Sequence, residues 1–230
     1  MTALPQGLVG RPIAHRGLWR PGLRPENSLA AFEAACAAGY GIELDVQLTA
    51  DGEAVVFHDH DLDRMTAESG LVEERTAAEL SRLTLLGGDH QTIPLLADAL
   101  AVIAGRVPVL VELKTPPCQD GPLEARAADL LRGYAGPAAV LSFNAKALAA
   151  FRRHAPEVAA GLNLAPADRL DAASFRPDFL SINQQLAGQS FVADWRTAGG
   201  SVIAWTVRTA AERQALEGHV DNIVVEGFRP

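Results

Sequence analysis

Short apolar runs alternate with Ala-rich segments of helical periodicity along most of the chain. The runs contain many β-branched residues, and Gly or Pro stands at many of the joints between runs and segments. Alternation of short apolar strands with helical segments is typical of a parallel sheet with both faces covered. The runs that we predict as strands are 12–17, 41–48, 107–114, 138–143, 158–164, 178–183, 201–207 and 221–227.

Helical periodicity is found between most of these predicted strands. Eight strand–helix units are the number that a (β/α)8 barrel requires, whereas a doubly wound sheet usually has about five or six strands. We therefore predict an α/β fold, the (β/α)8 TIM barrel. The helical segments are 27–39, 93–105, 123–134, 144–156, a weaker one near 168–175, 189–199 and 209–218.

The segment at about 49–92 does not fit the simple repeat. It begins with "TADG", which predicts a turn, and continues with "AVVFH", which predicts a short strand. It also includes "TAAELSRL", which has helical character. We predict that this segment is a small insertion after the second strand. No linker or second domain is evident in the composition, so residues 1–230 are predicted to form a single domain.

Two carboxylates interrupt the apolar run 41–48. Glu43 and Asp45 are two positions apart, so in a strand both side chains would point to the same side, about 7 Å apart. In a low-dielectric interior they would repel each other. A divalent cation removes this repulsion, and Glu112 from a neighbouring predicted strand would supply a third carboxylate. An all-oxygen set favours Mg²⁺ or Ca²⁺ over Zn²⁺, while the alternative is that these acids pair with arginines or lie on a solvated edge.

Other polar side chains lie near the ends of predicted strands, where a (β/α)8 barrel has its active site. His15 and His58 each lie near the end of a predicted strand, and two imidazoles beside a metal site are suited to general acid–base catalysis. Arg16 and Lys114 would supply positive charge to hold a phosphoryl group, or would simply balance the carboxylates. Trp205 would either form a wall of the pocket or pack in the core.

Composition and charge exclude several classes of function. The chain has 230 residues, of which 48% are hydrophobic, so it contains enough apolar material for a large core. Its formal net charge is -8 and Lys and Arg form no cluster, which argues against nucleic acid or an anionic membrane as a partner. No long apolar run or signal peptide is evident, so no membrane insertion and a cytoplasmic location are expected. Cys36 and Cys118 are too few for a disulfide framework.

Several segments together resemble one enzyme family. They are "AHRG" at 14–17, "RPENSLAAFEAA" at 24–35, "IELDVQLTADGEAVVFHDHDLDRMT" at 42–66 and "ELK" at 112–114. In this order and at this spacing they resemble the glycerophosphodiester phosphodiesterases. The strong match extends over roughly half of the chain, and agreement of several separate segments is far more specific than any one of them.

The resemblance implies a TIM-barrel phosphodiesterase domain with a small insertion after the second strand. It also implies a divalent cation, Mg²⁺ or Ca²⁺ with Mn²⁺ as a further candidate. The implied reaction is hydrolysis of a small-molecule glycerophosphodiester to glycerol 3-phosphate and an alcohol. The corresponding residues are Glu43, Asp45 and Glu112 for the metal, His15 and His58 for acid–base catalysis, Arg16 and Lys114 for the phosphate, Trp205 for the substrate, and Glu26 and Asn27 for the shape of the site mouth.

The second half of the chain departs from the family in two places. Arg208 stands where Asn is common, and Glu226 lies near a position that is often Asp. We expect both departures to lie away from the metal and the two histidines. They would then affect substrate recognition more than the chemistry.

Two alternative functions are compatible with these residues. One is a related phosphodiesterase of the phospholipase D type that acts on sphingomyelin or lysophospholipids. It would need an apolar surface for lipid, and the sequence shows no long hydrophobic loop. The other is a non-catalytic phosphate-binding barrel, which would usually have lost a metal ligand or a base, whereas the expected groups are all present here.

Overall fold

The strands close into a barrel in the structure, a computed structural model that describes residues 4–88, 90–116, 121–168, 170 and 175–229, without the side chain of Gln6. The strands are β1 (Ile13–Ala14), β2 (Gly41–Leu48), β3 (Ala54–Val56), β4 (Val109–Leu113), β5 (Ala138–Ser142), β6 (Ala159–Leu164), β7 (Phe179–Asn183), β8 (Ser201–Val207) and β9 (Asn222–Val225). β3 pairs antiparallel with β2, and the other eight strands run parallel. β1 pairs with both β2 and β9, which closes the ring and confirms the predicted (β/α)8 barrel.

The described helices overlap the predicted helical segments or lie in the segment at 49–92, and the fourth of them begins at Pro122, one residue before its predicted segment. They are α1 (Leu29–Ala38), α2 (Ala77–Leu80), α3 (Leu96–Ile103), α4 (Pro122–Arg132), α5 (Ala145–His154), α6 (Ser190–Thr197) and α7 (Ala210–Ala215). The weaker helix predicted near 168–175 falls on a stretch of which 169 and 171–174 lie outside the described residues. Within the described ranges, no helix has the length and apolar character needed to cross a membrane.

The ends of α1 fix the chain between β1 and β2. Ser28 Oγ accepts a hydrogen bond from the N–H of Ala31, which satisfies a free donor in the first turn of the helix. At the other end, Gly39 has φ 73°, a left-handed conformation that glycine adopts without a clash from Cβ. Residues 26 and 27 are therefore held directly before the helix.

Apolar side chains fill the half of the barrel toward the N-terminal ends of its strands. Strand residues alternate between the two faces, so Leu110 shares the inner face with Glu112, and Phe179 shares it with Ser181. The polar residues therefore begin directly above an apolar floor. The buried cluster that forms this floor consists of Leu8, Ile13, Leu110, Ala139, Leu141, Ala159, Phe179, Ile203 and Val224. A larger cluster lies between the barrel and the helices.

The segment at 49–92 has a small hydrophobic core of its own. β3 folds back on β2, with Val56 opposite Val46. The helix predicted in "TAAELSRL" is a single turn, α2, which begins after Thr76. The buried residues of this small core are Val55, Phe57, Leu62, Val72, Leu80, Leu85 and Ile93. They fix the chain directly after β3, which includes His58.

β1 is shorter than the predicted strand 12–17. Its ladder includes only Ile13 and Ala14, because the chain turns at Arg16, where φ is 56°. The turn is held by the N–H of Asn27, which donates to the carbonyl of Arg16 at 3.0 Å. His15 and Arg16 therefore lie in the turn after β1 and not in the strand itself.

Candidate active site

Three carboxylates from two neighbouring strands converge inside the barrel. Asp45 of β2 is directly opposite Glu112 of β4 in the parallel ladder, and Glu43 is on the same face as Asp45. One oxygen atom from each of the three carboxylates lies within 4.8 Å of the others. Their exposed fractions are only 4%, 1% and 9% for Glu43, Asp45 and Glu112. This all-oxygen set could hold a divalent cation such as Mg²⁺ or Ca²⁺.

Two cationic side chains pair with these carboxylates. Lys114 Nζ lies 2.8 Å from Glu112 Oε1 and 3.2 Å from Asp45 Oδ1. Arg16 Nε lies 3.3 Å from Asp45 Oδ2, and the Arg16 backbone N–H donates to Glu43 Oε2 at 3.0 Å. Two positive charges therefore stand beside three acidic groups. Pairing with arginine, the alternative to metal binding, is present at Arg16, and Lys114 adds a second cation. These two positive charges do not balance all three acids.

The pKa values of the three acids also show that the two cations do not compensate three buried negative charges. Burial raises the pKa of Glu43 well above its usual range, and the charges of Asp45 and Glu112 raise it further. Burial, followed by the charge of Asp45, also raises the pKa of Glu112. Burial opposes the ionisation of Asp45 as well, but Lys114 and Arg16 outweigh it and lower the pKa of Asp45 to about 2. A divalent cation would favour the ionised form of all three acids, so this cluster fits such an ion.

His15 is held by an acid from the last strand segment of the chain. Its backbone N–H donates to the carbonyl of Val225 at 3.0 Å, and its Nδ1 lies 2.5 Å from Glu226 Oε2. The other Glu226 oxygen accepts from Arg208 Nε at 2.8 Å. The hydrogen bond with His15 is the main cause that lowers the pKa of Glu226 to about 2. The expectation that Arg208 and Glu226 lie away from the histidines is therefore wrong, because closure of the barrel places the end of β9 beside β1.

His58 has an equivalent acidic neighbour close in sequence. Its Nδ1 lies 2.6 Å from Asp59 Oδ1, and Asp59 Oδ2 accepts from Arg64 Nε at 2.5 Å. Gln47 Nε2 donates to the carbonyls of Phe57 and Asp59 at 2.9 and 2.6 Å, which anchors this stretch to β2. The imidazole of His58 is thus fixed in orientation through Nδ1.

The neutral form of His58 is favoured by its surroundings. Burial lowers the pKa of His58, and the opposing charge of Asp45 does not outweigh this effect. A neutral imidazole with Nδ1–H donating to a carboxylate has a free acceptor at Nε2. His58 can therefore accept a proton near neutral pH.

Glu26 and Asn27 contact charged residues that line the pocket. Asn27 has φ 55° and is 2% exposed, and its Nδ2 donates to Asp45 Oδ2 at 2.9 Å. Glu26 Oε1 accepts from Arg16 Nη1 at 2.7 Å and from Arg64 Nη2 at 2.6 Å. These two residues therefore hold Asp45 and Arg16 in position.

Most of the predicted site residues line one pocket of about 230 Å³ inside the barrel, above its apolar floor. Its walls include eight of the residues that the sequence singled out: His15, Arg16, Glu43, Asp45, His58, Glu112, Lys114 and Trp205. The Trp205 ring also makes an edge contact with Phe143, with ring centroids 5.7 Å apart. Trp205 is thus part of the pocket wall, and it also packs against the apolar floor.

Sequence reasoning missed several residues of this site. Asp59 and Arg64 belong to the "HDHDLDR" stretch, where alternating acids around a histidine were a usable signal. Asn163 and Ser181 line the pocket from β6 and β7. They interrupt the apolar runs 158–164 and 178–183, which was the signal for an inward polar side chain.

The sequence model of the glycerophosphoryl diester phosphodiesterase family matches residues 15–226. The chain belongs to this family. The predicted family, and with it the prediction of an enzyme, is confirmed.

Individual members of the family are similar to this protein over nearly the whole chain. YhdW of Bacillus subtilis (strain 168) is 33% identical over 231 residues, which cover 93% of each protein. A glycerophosphodiester phosphodiesterase of Caldanaerobacter subterraneus subsp. tengcongensis is 31% identical over 232 residues, again 93% of each. Among solved structures, a phosphodiesterase of Oleispira antarctica in complex with the product sn-glycerol-3-phosphate is 30% identical, with a TM-score of 0.85 over 96% of this chain and 94% of that one.

Proposed function

We propose that this family member hydrolyses glycerophosphodiesters to glycerol 3-phosphate and an alcohol, in a metal-dependent reaction with two histidines as general acid and base. The observation that carries the proposal is the common pocket of three buried carboxylates and two histidines, each histidine held by a further carboxylate. The product bound to the Oleispira antarctica relative has the same chemistry as the product proposed here.

Glu43, Asp45 and Glu112 would hold the cation, Mg²⁺ or Ca²⁺ with Mn²⁺ as a further candidate. When bound, such an ion stabilises the negative charge that develops on phosphoryl oxygens in the transition state. A cation held by these carboxylates would have Lys114 as a neighbour, since Lys114 Nζ contacts both Asp45 and Glu112.

Arg16 and Lys114 would bind the phosphodiester oxygens. Burial opposes the charge on Lys114, but Asp45 and Glu112 outweigh it, so the pKa of Lys114 is raised and the side chain stays charged at neutral pH. The same balance, with Asp45 and Glu26 as the main partners, raises the pKa of Arg16. Fixed positive charge in a buried pocket stabilises an anionic transition state without reorganisation of solvent.

His15 and His58 would transfer the protons. One imidazole takes the proton of the 2-hydroxyl of the glycerol moiety, whose oxygen attacks phosphorus. The other gives a proton to the leaving alcohol as the phosphorus–oxygen bond to that alcohol breaks. Water then opens the resulting cyclic phosphate, with the two imidazoles in exchanged roles, which yields glycerol 3-phosphate and restores both protonation states.

Substitution of each histidine tests this assignment. His15→Ala and His58→Ala should each lower kcat on sn-glycero-3-phosphocholine by about 10²- to 10⁴-fold, with circular dichroism and Tm near those of the wild type. The exposed His219→Ala is the matched control and should retain full turnover. Near-normal kcat in either pocket variant would overturn the proposal.

Product analysis separates the proposed substrate class from the phospholipase D type. We expect release of glycerol 3-phosphate from sn-glycero-3-phosphocholine and a much lower kcat/KM on lysophosphatidylcholine. A reversed preference would contradict the proposed substrate class while leaving the metal and histidine assignments intact.

A further inference from the structure

Buried polar groups without partners among the described residues line the pocket on the side of strands β6, β7 and β8. Asn163 Oδ1, Ser181 Oγ and Trp205 Nε1 are buried and have no hydrogen-bond partner among the described residues. All three residues line the pocket, and they come from the consecutive strands β6, β7 and β8. Asn163 and Ser181 are directly opposite each other in the ladder and are 3% and 0% exposed. Burial of such groups is unfavourable unless a bound molecule supplies the missing hydrogen bonds.

The chemistry of these atoms specifies what they can bind. Asn163 Nδ2 donates to Glu112 Oε2 at 3.2 Å, so the free Oδ1 atom carries no proton and can act only as an acceptor, toward a hydrogen-bond donor or a cation. Ser181 Oγ can donate and accept, while Trp205 Nε1 can only donate. A fully ionised phosphate oxygen cannot satisfy Asn163 Oδ1, because it carries no proton. A hydroxyl group can satisfy both Asn163 and Ser181.

We propose that Asn163 and Ser181 bind the primary hydroxyl of the glycerol moiety and so determine specificity for glycerol-containing phosphodiesters. The inference rests on the proposed function, in which the 2-hydroxyl attacks phosphorus as the nucleophile and the phosphoryl group faces Arg16 and Lys114. The primary hydroxyl is the remaining polar group of glycerol. Phe179 lies below Ser181 in the apolar floor, so this hydroxyl would lose its contact with water on binding.

The dimensions of the pocket agree with a small polyol. The part of the pocket inside the barrel has a volume of about 230 Å³, and Glu112, Lys114 and Phe143 also line a neighbouring cavity of about 610 Å³. Asn163 is also one hydrogen bond from Glu112, so a group bound by Asn163 would lie close to the carboxylate cluster. A short molecule with hydroxyl groups near its phosphate could therefore reach Asn163 while its phosphate lies beside the carboxylates.

Two substrates distinguish a loss of binding to the primary hydroxyl from a general effect of a substitution on the enzyme. The first is sn-glycero-3-phosphocholine, and the second is its analogue that lacks the primary hydroxyl but keeps the 2-hydroxyl. Ser181→Ala should lower kcat/KM about 3- to 10-fold on the first substrate and leave it within about twofold on the analogue. Asn163→Ala should lower kcat/KM more on the first substrate than on the analogue, although its bond to Glu112 adds a loss common to both.

Ser142→Ala is the matched control for the loss of a buried hydroxyl. Ser142 lies on β5 and is 1% exposed, but its Oγ already donates to the carbonyl of Leu113 at 2.8 Å. We expect Ser142→Ala to lower Tm more than Ser181→Ala does, because only Ser142 loses a hydrogen bond made within the protein. Its effect on kcat/KM should be equal for the two substrates.

Several results would overturn the inference. If Ser181→Ala lowers kcat/KM equally on both substrates, or on neither, Ser181 does not bind the primary hydroxyl. If Ser181→Ala folds poorly, the nearly isosteric Ser181→Cys, whose thiol is a weak hydrogen-bonding group, provides the same comparison. Absence of glycerol 3-phosphate release by the wild type would instead contradict the proposed function, which keeps the two failures distinct.

Discussion

Both histidines of the pocket hold Nδ1 against a carboxylate oxygen, His15 at 2.5 Å from Glu226 and His58 at 2.6 Å from Asp59. A carboxylate in this position accepts from Nδ1–H and leaves Nε2 for proton transfer. It would also stabilise the imidazolium that forms in the proposed reaction. The tautomer and orientation of each imidazole thus depend on a neighbouring carboxylate, Glu226 for His15 and Asp59 for His58, that we regard as a positioning residue.

Glu226→Gln should impair catalysis through His15. The amide has no negative charge to stabilise the imidazolium, and it can present N–H to Nδ1 and favour the other tautomer. We expect kcat on sn-glycero-3-phosphocholine to fall about 10- to 100-fold, with a smaller change in KM. Steady-state kinetics at saturating divalent cation measure both constants.

The conservative variant distinguishes positioning from a purely structural role. Glu226→Asp keeps a carboxylate and should retain more of the wild-type kcat than Glu226→Gln, while the exposed Glu217→Gln should retain all of it. Equal kcat in Glu226→Gln and the wild type would contradict the role assigned to Glu226.

Glu43 makes the stability of the metal-free protein depend on pH. Because burial raises its pKa in the folded state, the folded protein binds this proton more tightly than the unfolded chain, and stability falls as pH rises above about 4.5. Glu43→Gln removes this loss and can still accept from the Arg16 N–H. In chelator-treated protein, urea unfolding should show the variant more stable at pH 7 by on the order of 1 kcal/mol, with the difference disappearing below pH 4.5.

A bound divalent cation should make the wild type more stable than Glu43→Gln. At about one hundred times its Kd, Mg²⁺ or Ca²⁺ should stabilise the wild type by about 2.7 kcal/mol, and Glu43→Gln should gain less. A wild-type protein whose Tm is unchanged at saturating ion would count against the metal site. So would a Glu43→Gln variant that is less stable than the wild type without ion.

Local periodicity was sufficient to predict some site residues and not others. Glu43 and Asp45 were predicted from their spacing of two in an apolar run, and Glu112 from a similar break in another run. Glu226 could not be assigned to His15 in this way, since the two residues are 211 positions apart in sequence. Their contact depends on which strands are neighbours, and that is a property of the closed sheet.

At the scale of elements, the sequence predicted the order of the strands, but it predicted the residues at which they end less accurately. The run 41–48 is the full length of β2, whereas β1 includes only two of the six residues predicted as a strand. The difference is caused by the turn at Arg16, which hydrogen bonds with Glu43 and Asn27 stabilise. Because those partners are distant in sequence, no local pattern indicates where β1 ends.

Strand β6 provides a test of packing in the barrel. Gly161 is opposite Phe179, and a Cβ at Gly161 would lie 2.3 Å from the Phe179 ring, which is itself 0% exposed. Gly161→Ala should therefore overpack the floor beneath the pocket. We expect the free energy of unfolding to fall by about 1–3 kcal/mol in urea titrations.

Gly188→Ala is the control, because a Cβ at that position would meet no atom within 4 Å. It should change the free energy of unfolding by less than about 0.5 kcal/mol. Equal stability of the two variants would show that the inner face at Gly161 is less tightly packed than the structure indicates.

At the scale of the whole molecule, closure of the barrel assembles one pocket from both halves of the chain. The carboxylates and histidines come from residues 15–112, and Asn163, Ser181, Trp205 and Glu226 come from the second half. The first half contains the segments that resemble the family, so its chemistry could be predicted from sequence. From the second half, Trp205 could be proposed from the sequence, whereas the contact of Glu226 with His15 could be assigned only once β9 was known to lie beside β1.

The most direct test of the account is the rate of glycerol 3-phosphate release from sn-glycero-3-phosphocholine by chelator-treated protein, before and after addition of Mg²⁺, Ca²⁺ or Mn²⁺. We expect no turnover above background without ion and restored turnover with at least one of the three. Full turnover in excess chelator, or none with any of the three ions, would contradict metal-dependent hydrolysis at the carboxylates of Glu43, Asp45 and Glu112.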